Sequence, residues 1–244
     1  MPILKQCTMD FFERERDRIS TVIVPCGSLE EHGPHLPLGT DTLHAQALAD
    51  AVAQRHPVWS APPLWYGVCR SSSAHPGTVG IRSATLRALV LDVVEGFVRQ
   101  GMRQVVLLSG HAGGTHMATL LDAGEELLER CPDLRMAVLS VLDLGRAAWS
   151  TIQETPGDSH AGEVETSLML HLHPKWVQGT AEEAYPTFPA HILVRNKRAY
   201  WRSGVWGNPP AASPDKGRRL LEASVAALIE LIEKLKAWEE PNHP

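Results

Sequence analysis

The chain has no cysteines at C-x-x-C spacing. Its four cysteines, Cys7, Cys26, Cys69 and Cys131, are scattered over 244 residues. That pattern excludes a zinc knuckle and argues against a disulfide framework. Positive charge is not in excess: the net charge is −5 at pH 7. It offers no basic face for nucleic acid and no attraction to an anionic membrane surface. No apolar run approaches the ~20 residues that span a bilayer. The first twenty residues carry Asp10, Glu13, Glu15 and Asp17, unlike a signal peptide. The expectation is a cytoplasmic protein. Repeats, low-complexity tracts and long linkers are missing too. The remainder is ordinary for a globular chain, 43% hydrophobic and 21% charged, and long enough to bury one large core as a single domain over residues 1–244.

Apolar strand-like and helix-like segments alternate. Thr21–Pro25, Gln104–Leu108 and Arg135–Val141 read as buried strands, and Val58–Trp65 as an extended, proline-rich stretch. Helices are expected over Thr42–Arg55, Thr115–Arg130, Glu163–His171 and Ser213–Trp238, the last with Pro214 at its first position. A further helix over Ser83–Gln100 shows an apolar stripe of Leu86, Leu89, Val90, Val93, Val94 and Phe97, with Ser83 as its cap. Continuously apolar strands between helices predict an α/β fold, a mainly parallel sheet covered on both faces. Tyr185–Asp215 is rich in Pro, Gly, Trp and Arg without periodicity. It reads as a long ordered loop over the site or at a subunit contact.

Twelve histidines are the one unusual count. The stretch Gly27-Ser-Leu-Glu30-Glu-His32-Gly-Pro-His35-Leu-Pro-Leu-Gly-Thr-Asp41 follows the first strand. Glu30 and His32 are two apart, so an extended backbone points both the same way. Asp41, at the start of a helix, can reach the same point. Oxygen and nitrogen donors at that density suggest a divalent metal site. The plainer reading makes Asp41 an N-cap and Glu30 and His32 solvated surface. The second strand runs into Ser109-Gly110-His111-Ala112-Gly113-Gly114. No Lys or Ser/Thr follows as in a phosphate-binding loop, and His111 suits a ligand set opposite Glu30 and His32. Ligands of parallel sheets bind beyond the strands' carboxyl ends, so the two loops should meet there. In Gly157-Asp158-Ser159-His160-Ala161-Gly162-Glu163-Val164-Glu165, Asp158 or Ser159 could cap a helix whose dipole Glu163 and Glu165 complement. A loop histidine beside two glutamates also mounts a general acid/base near a metal. Cys26 lies beside these loops and reads as a small buried hydrophobe. No cysteine stands at ligand spacing.

Together these segments, with His75-Pro-Gly-Thr78, resemble the creatininase family over roughly residues 20–215. The resemblance implies a single creatininase-like three-layer domain with one or two divalent ions (Zn, Mn or Fe) that hydrolyses an amide C–N bond of a small molecule. It implies Glu30, His32, Asp41 and His111 as ligands, with Asp41 bridging. His160 matches the residue that handles protons, and Glu165 is a further ligand or proton carrier. Water activated by the ion would attack a lactam or formamide carbonyl, and His160 would protonate the leaving nitrogen. Ser73 and His75 in one loop and Trp206 in another are expected to contact substrate, with Trp201 either beside them or merely packed. Creatinine-opening members place a ligand glutamate two residues after the histidine of the second loop, where this chain has Gly113, and relatives often have Asn at Ser109. These departures point to side branches that cleave formamides, or to a peptidase like the one that matures mycofactocin. A structural ion without catalysis is the third reading, disfavoured by the carboxylate-rich set. The resemblance also implies a homo-oligomer, in the family commonly a hexamer.

Overall fold

The computed structural model describes residues 2–239. In chain order the elements are α1 (Met9–Glu15), β1 (Thr21–Cys26), α2 (Thr40–Arg55), β2 (Trp59–Ser60), α3 (Ser83–Arg99), β3 (Gln104–Ser109), α4 (Gly114–Arg130), β4 (Arg135–Ser140), α5 (Val141–Ala148), α6 (Glu163–Leu172) and α7 (Pro214–Ala237). The four strands form one parallel sheet in the order β2-β1-β3-β4.

Side chains alternate across a strand, and here the two sets feed two cores. Ile23, Val106 and Leu108 pack with Leu48 and Val52 of α2, Leu168 of α6, and Leu228 and Ile232 of α7. Val22, Val24, Val105 and Leu107 pack with Leu86 and Val90 of α3 and Leu120 and Leu127 of α4. Burial on both faces explains why β1 and β3 read as unbroken apolar runs. The α/β fold with helices on both faces is the one expected.

Several local expectations are corrected. Ser83 is the first residue of α3 rather than its cap; Arg82 occupies that position without a capping side-chain bond. The face of α3 turned to the core is Leu86, Val90 and Val94, while Leu89 is 39% exposed. Within the proline-rich stretch Trp59 and Ser60 form the ladder with β1, and beyond the prolines Leu64 makes only an isolated bridge to Cys26, because proline cannot donate to a ladder. The third long strand stops at Ser140, not Val141. Ser140 Oγ accepts from the Asp143 amide and the Asp143 carboxylate accepts from the Ser140 amide. That reciprocal capping box starts α5, a helix the sequence reading missed. For α7 the expected start holds: Ser213 caps the Lys216 amide and Pro214 leads.

Between β1 and β3 the chain order reverses, and the crevice there is where parallel sheets bind ligands. Cys26 and Ser109 are paired in register, so the loops after β1 and β3 leave the sheet side by side. The first turn of α2 wedges between them, and two glycines make room. A Cβ on Gly27 would stand 2.6 Å from the backbone of Thr42, and one on Gly110 would stand 2.6 Å from the carbonyl carbon of Asp41.

Candidate metal centre and its cavity

Asp41 sits in the first turn of α2, after the cap Gly39, so it is not the N-cap. Its carboxylate lies between two imidazoles. Oδ1 is 3.0 Å from His32 Nε2, and Oδ2 is 3.2 Å from His111 Nδ1. Glu30 Oε1 approaches the same His111 nitrogen at 2.8 Å. Glu165 Oε2 lies 3.7 Å from His32 Nε2. Two donor sets result, Glu30 with His111 and His32 with Glu165, with Asp41 reaching both. One ligating atom from each of His32, Asp41 and Glu165 lies within 4.8 Å of the others.

The ring orientations are fixed from behind. His32 Nδ1 donates to the Glu30 carbonyl at 3.1 Å, and His111 Nε2 donates to the Val68 carbonyl at 3.3 Å. Each bond settles the tautomer and turns the other nitrogen's lone pair to the centre. The carboxylates are held likewise. Ser28 Oγ donates to Asp41 at 2.7 Å, Ser72 Oγ to Glu30, and the Ala161 amide to Glu165 at 2.5 Å. Ala161 takes a left-handed φ of 49° in doing so, a conformation few non-glycine residues adopt.

Glu30, Asp41 and Glu165 are all buried, and among the described residues none is paired with Lys or Arg. Uncompensated buried charge is costly. Without an ion, histidine protons supply the compensation. Burial would lower the His32 pKa, but Asp41 and Glu165 outweigh it and lift the value to about 10. Burial opposes charge on His111 too, and Glu30 and Asp41 hold it well above normal. Burial alone would raise Glu30 and Asp41; His111 draws the first down, and His32 and His111 draw the second down. Glu165 stays raised, chiefly by burial. Three buried carboxylates balanced only by imidazolium protons are a set that a divalent cation fits.

His160 covers this centre. Its ring stacks on His32, centroids 4.2 Å apart, and meets Trp201 edge-on at 4.9 Å. Nε2 donates to the Glu31 carbonyl at 2.8 Å, which leaves Nδ1, without a partner among the described residues, to exchange a proton. Burial and His32 both press its pKa down, but Glu31 and the acidic neighbours prevail and raise it. The centre opens into a cavity of about 410 Å³ whose walls include Arg70, Leu142, Lys197, Trp201, Trp206 and the backbone of Gly113.

The family model described as creatinine amidohydrolase matches residues 5–232. The chain belongs to the creatininase family. It is 33% identical over 227 residues to the mycofactocin precursor peptide peptidase of Mycobacterium ulcerans (strain Agy99), covering 87% of this chain and 84% of that protein. It is 29% identical to the creatinine amidohydrolase of Pseudomonas putida, over 86% of this chain and 88% of that one. A crystal structure of creatininase superposes with a TM-score of 0.88 at 26% identity, covering 96% and 97% of the two chains. A mutant creatininase has also been solved in a Zn–Zn form, and creatininase in a Mn form. This creatininase-family protein is thus an amidohydrolase.

The creatininase fold brings Glu30, Asp41, His111, His160 and Glu165 to the cavity wall, with His32 buried directly behind Asp41. Glu163 does not join them. Its carboxylate accepts from the Glu154 and Thr155 amides and from Lys216 Nζ at 2.7 Å. Asp158 is the residue that caps α6, accepting from the Glu163 and Val164 amides at 2.7 and 3.0 Å. Of the expected substrate contacts, Trp206 lines the cavity but Ser73 and His75 do not. Ser73 is exposed, with Oγ on the Arg70 carbonyl. The buried His75 donates instead to the Trp201 carbonyl at 2.6 Å and so props up the tryptophan loop. Their loop turns Ser72 inward and Ser73 outward. The loop over 185–215 does lie on the site: Trp206 and His160 exchange backbone hydrogen bonds at 2.8 and 3.0 Å. Sequence reading missed Ser72, Arg70, Lys197 and Glu31. It also missed Cys69, whose Sγ lies within 4.8 Å of ligating atoms of Glu30 and His111. Only tertiary proximity marks these residues. Cys26 is the buried hydrophobe expected, fully enclosed with its thiol pushed up to about 12 by burial.

Proposed function

We propose that Glu30, His32, Asp41, His111 and Glu165 hold one or two divalent ions, and that the enzyme hydrolyses an amide C–N bond of a small molecule at them. The observation that carries this reading is Asp41 standing between two histidine–carboxylate sets on the floor of a cavity. A bound divalent ion supplies Lewis acidity toward water and an amide carbonyl. The chain's own part is orientation and proton transfer. Ser28, Ser72 and the Ala161 amide hold the carboxylates; the Glu30 and Val68 carbonyls hold the rings. His160, with Nε2 anchored, offers Nδ1 to protonate the departing nitrogen. Trp201 and Trp206 shield the centre from bulk water.

A second reading, trimming of a short peptide, is favoured by one wall of the cavity. Ala112, Gly113 and Gly114 leave it nearly free of side chains, and Arg70 and Lys197 flank it with no ion-pair partner among the described residues. Such cations suit a substrate carboxylate. The relatedness to a named peptide peptidase points the same way. The test is a panel of lactams, formamides and short peptides, with free or amidated carboxyl ends, assayed with and without chelator. Chelator-sensitive turnover of any amide supports the hydrolase reading, and peptides turned over only with a free carboxylate decide for the second. No turnover with metal loaded contradicts both.

We also place the enzyme in the cytoplasm as a closed homo-oligomer. No helix among the described residues is long and apolar enough to cross a membrane; Cys26, Cys69 and Cys131 carry free thiols. Ile192 and Leu193 are 66% and 98% exposed on the loop over the site, apolar surface of the kind that subunit contacts cover. Light scattering on the eluted protein should give a hexamer mass.

A further inference from the structure

We infer that Cys69 is a ligand of the ion held by Glu30 and His111, making that half of the centre a thiolate site; the inference rests on the metal-binding reading above. Cys69 is 4% exposed, and its Sγ lies within 4.8 Å of the ligating atoms of Glu30 and His111, which are themselves buried. Its hydrogen bonding is limited to a long contact of 3.7 Å to the Gly67 carbonyl and an interaction with the Ser28 hydroxyl, neither of which competes strongly with a cation for the sulfur.

The segment that presents Cys69 is the one that orients His111. The Val68 carbonyl accepts from His111 Nε2, and the Val68 amide donates to His116 Nδ1 at 3.2 Å. Gly67 is pressed against Gly27, where a Cβ would meet a carbonyl oxygen at 2.6 Å. On its other side Cys69 packs on Gly80, whose Cβ would lie 3.2 Å from the Cys69 amide nitrogen. The sulfur is therefore carried by backbone locked to both site loops rather than by a mobile turn. The second loop offers the His111 imidazole and no carboxylate. Gly113 has no side chain, and a Cβ there would stand 2.6 Å from His111 Nε2. Cys69 enters from a different loop and fills the donor count from the other side.

On binding, the Cys69 thiol gives its proton to solvent and the thiolate bonds to the cation. A soft donor beside Glu30, Asp41 and His111 shifts preference toward zinc or ferrous iron and away from manganese, which favours oxygen donors.

The experiment is zinc X-ray absorption on the full-length protein loaded with Zn²⁺ alone, for the wild type and Cys69→Ser. A sulfur scatterer at about 2.3 Å in the wild type, lost in Cys69→Ser, is expected. The preference for Zn²⁺ over Mn²⁺ in competition should fall at least tenfold in the variant. Zinc bound by nitrogen and oxygen alone in the wild type overturns the inference and leaves the hydrolase reading standing. A sulfur signal that persists in Cys69→Ser overturns it too. Failure of the protein to bind zinc overturns the inference, and failure to bind Mn²⁺ and Fe²⁺ as well overturns the hydrolase reading. The wild-type spectrum decides even if the variant does not fold.

Discussion

Glu30 and Glu31 are neighbours in sequence and turn opposite ways, as adjacent side chains of an extended segment must. Glu30 meets His111, whereas the Glu31 carboxylate accepts from the Gly33 amide and lies 3.6 Å from His160 Nε2. One of the pair faces the proposed ion site and the other faces His160. Single substitutions here separate binding from support. Replacing His111 by Ala removes a nitrogen shared by two carboxylates; metal content should drop below half and turnover by at least about 100-fold, the scale on which lost metal ligation and its electrostatics act. Substituting Ser72 by Ala leaves every ligand in place but frees one oxygen of Glu30. Metal affinity should weaken by about 10- to 100-fold, with turnover recovering at saturating metal. Isothermal titration and metal-dependent rates check both.

At the scale of elements, α6 is the pivot. Its approach carries His160, its first turn carries Glu165, and Asp158 fixes where it begins. Asp158 also reaches the Asn208 amide, so the cap ties the helix to the loop over the site. Asp158→Ala should cost about 1–2 kcal/mol, a fall in Tm of about 2–8 °C. Turnover should drop more than metal content, since His160 is displaced before the four proposed ligands on other elements; a melt with parallel metal analysis checks it. The sequence offered Asp158 and Ser159 equally as caps. Only the turn at Ala161 decides between them, because it brings the Asp158 carboxylate over the α6 amides. In the same way Ser73 and His75 looked like pocket residues, yet the local turn buries Ser72 and sends its neighbour to solvent.

Across the whole molecule, buried titratable groups set the response to acid. His44 is buried in α2, and burial lowers its pKa from 6.5 to about 3. An unfolded chain would protonate it below 6.5, so its neutral folded form contributes stability above that pH, lost as pH falls toward 3. Glu163 is buried between α6 and α7. Burial would raise its pKa, but Lys216 and the Thr155 hydrogen bond win and hold it below 4.5. The carboxylate then contributes stability above 4.5 that disappears at lower pH. Urea unfolding should show stability declining from about pH 6.5 downward, with a second fall below about pH 4.5. His44→Leu should flatten the first slope, and Glu163→Gln the second. Unchanged slopes in both variants would contradict this assignment.

The sequence by itself determined the parallel α/β layers, because unbroken apolar strands can be buried only between two layers of helices. It also determined which donors could gather: Glu30, His32, Asp41, His111 and Glu165 lie in loops that follow strand ends or open helices. Tertiary structure alone decided how they meet. The reversal of strand order between β1 and β3, and two glycines that let α2 wedge in, place Asp41 between both histidines. Tertiary structure alone brought in Cys69, Arg70 and Lys197, whose positions depend on loops without periodicity. Local pattern fixes which face a side chain takes, but only packing fixes what stands opposite that face.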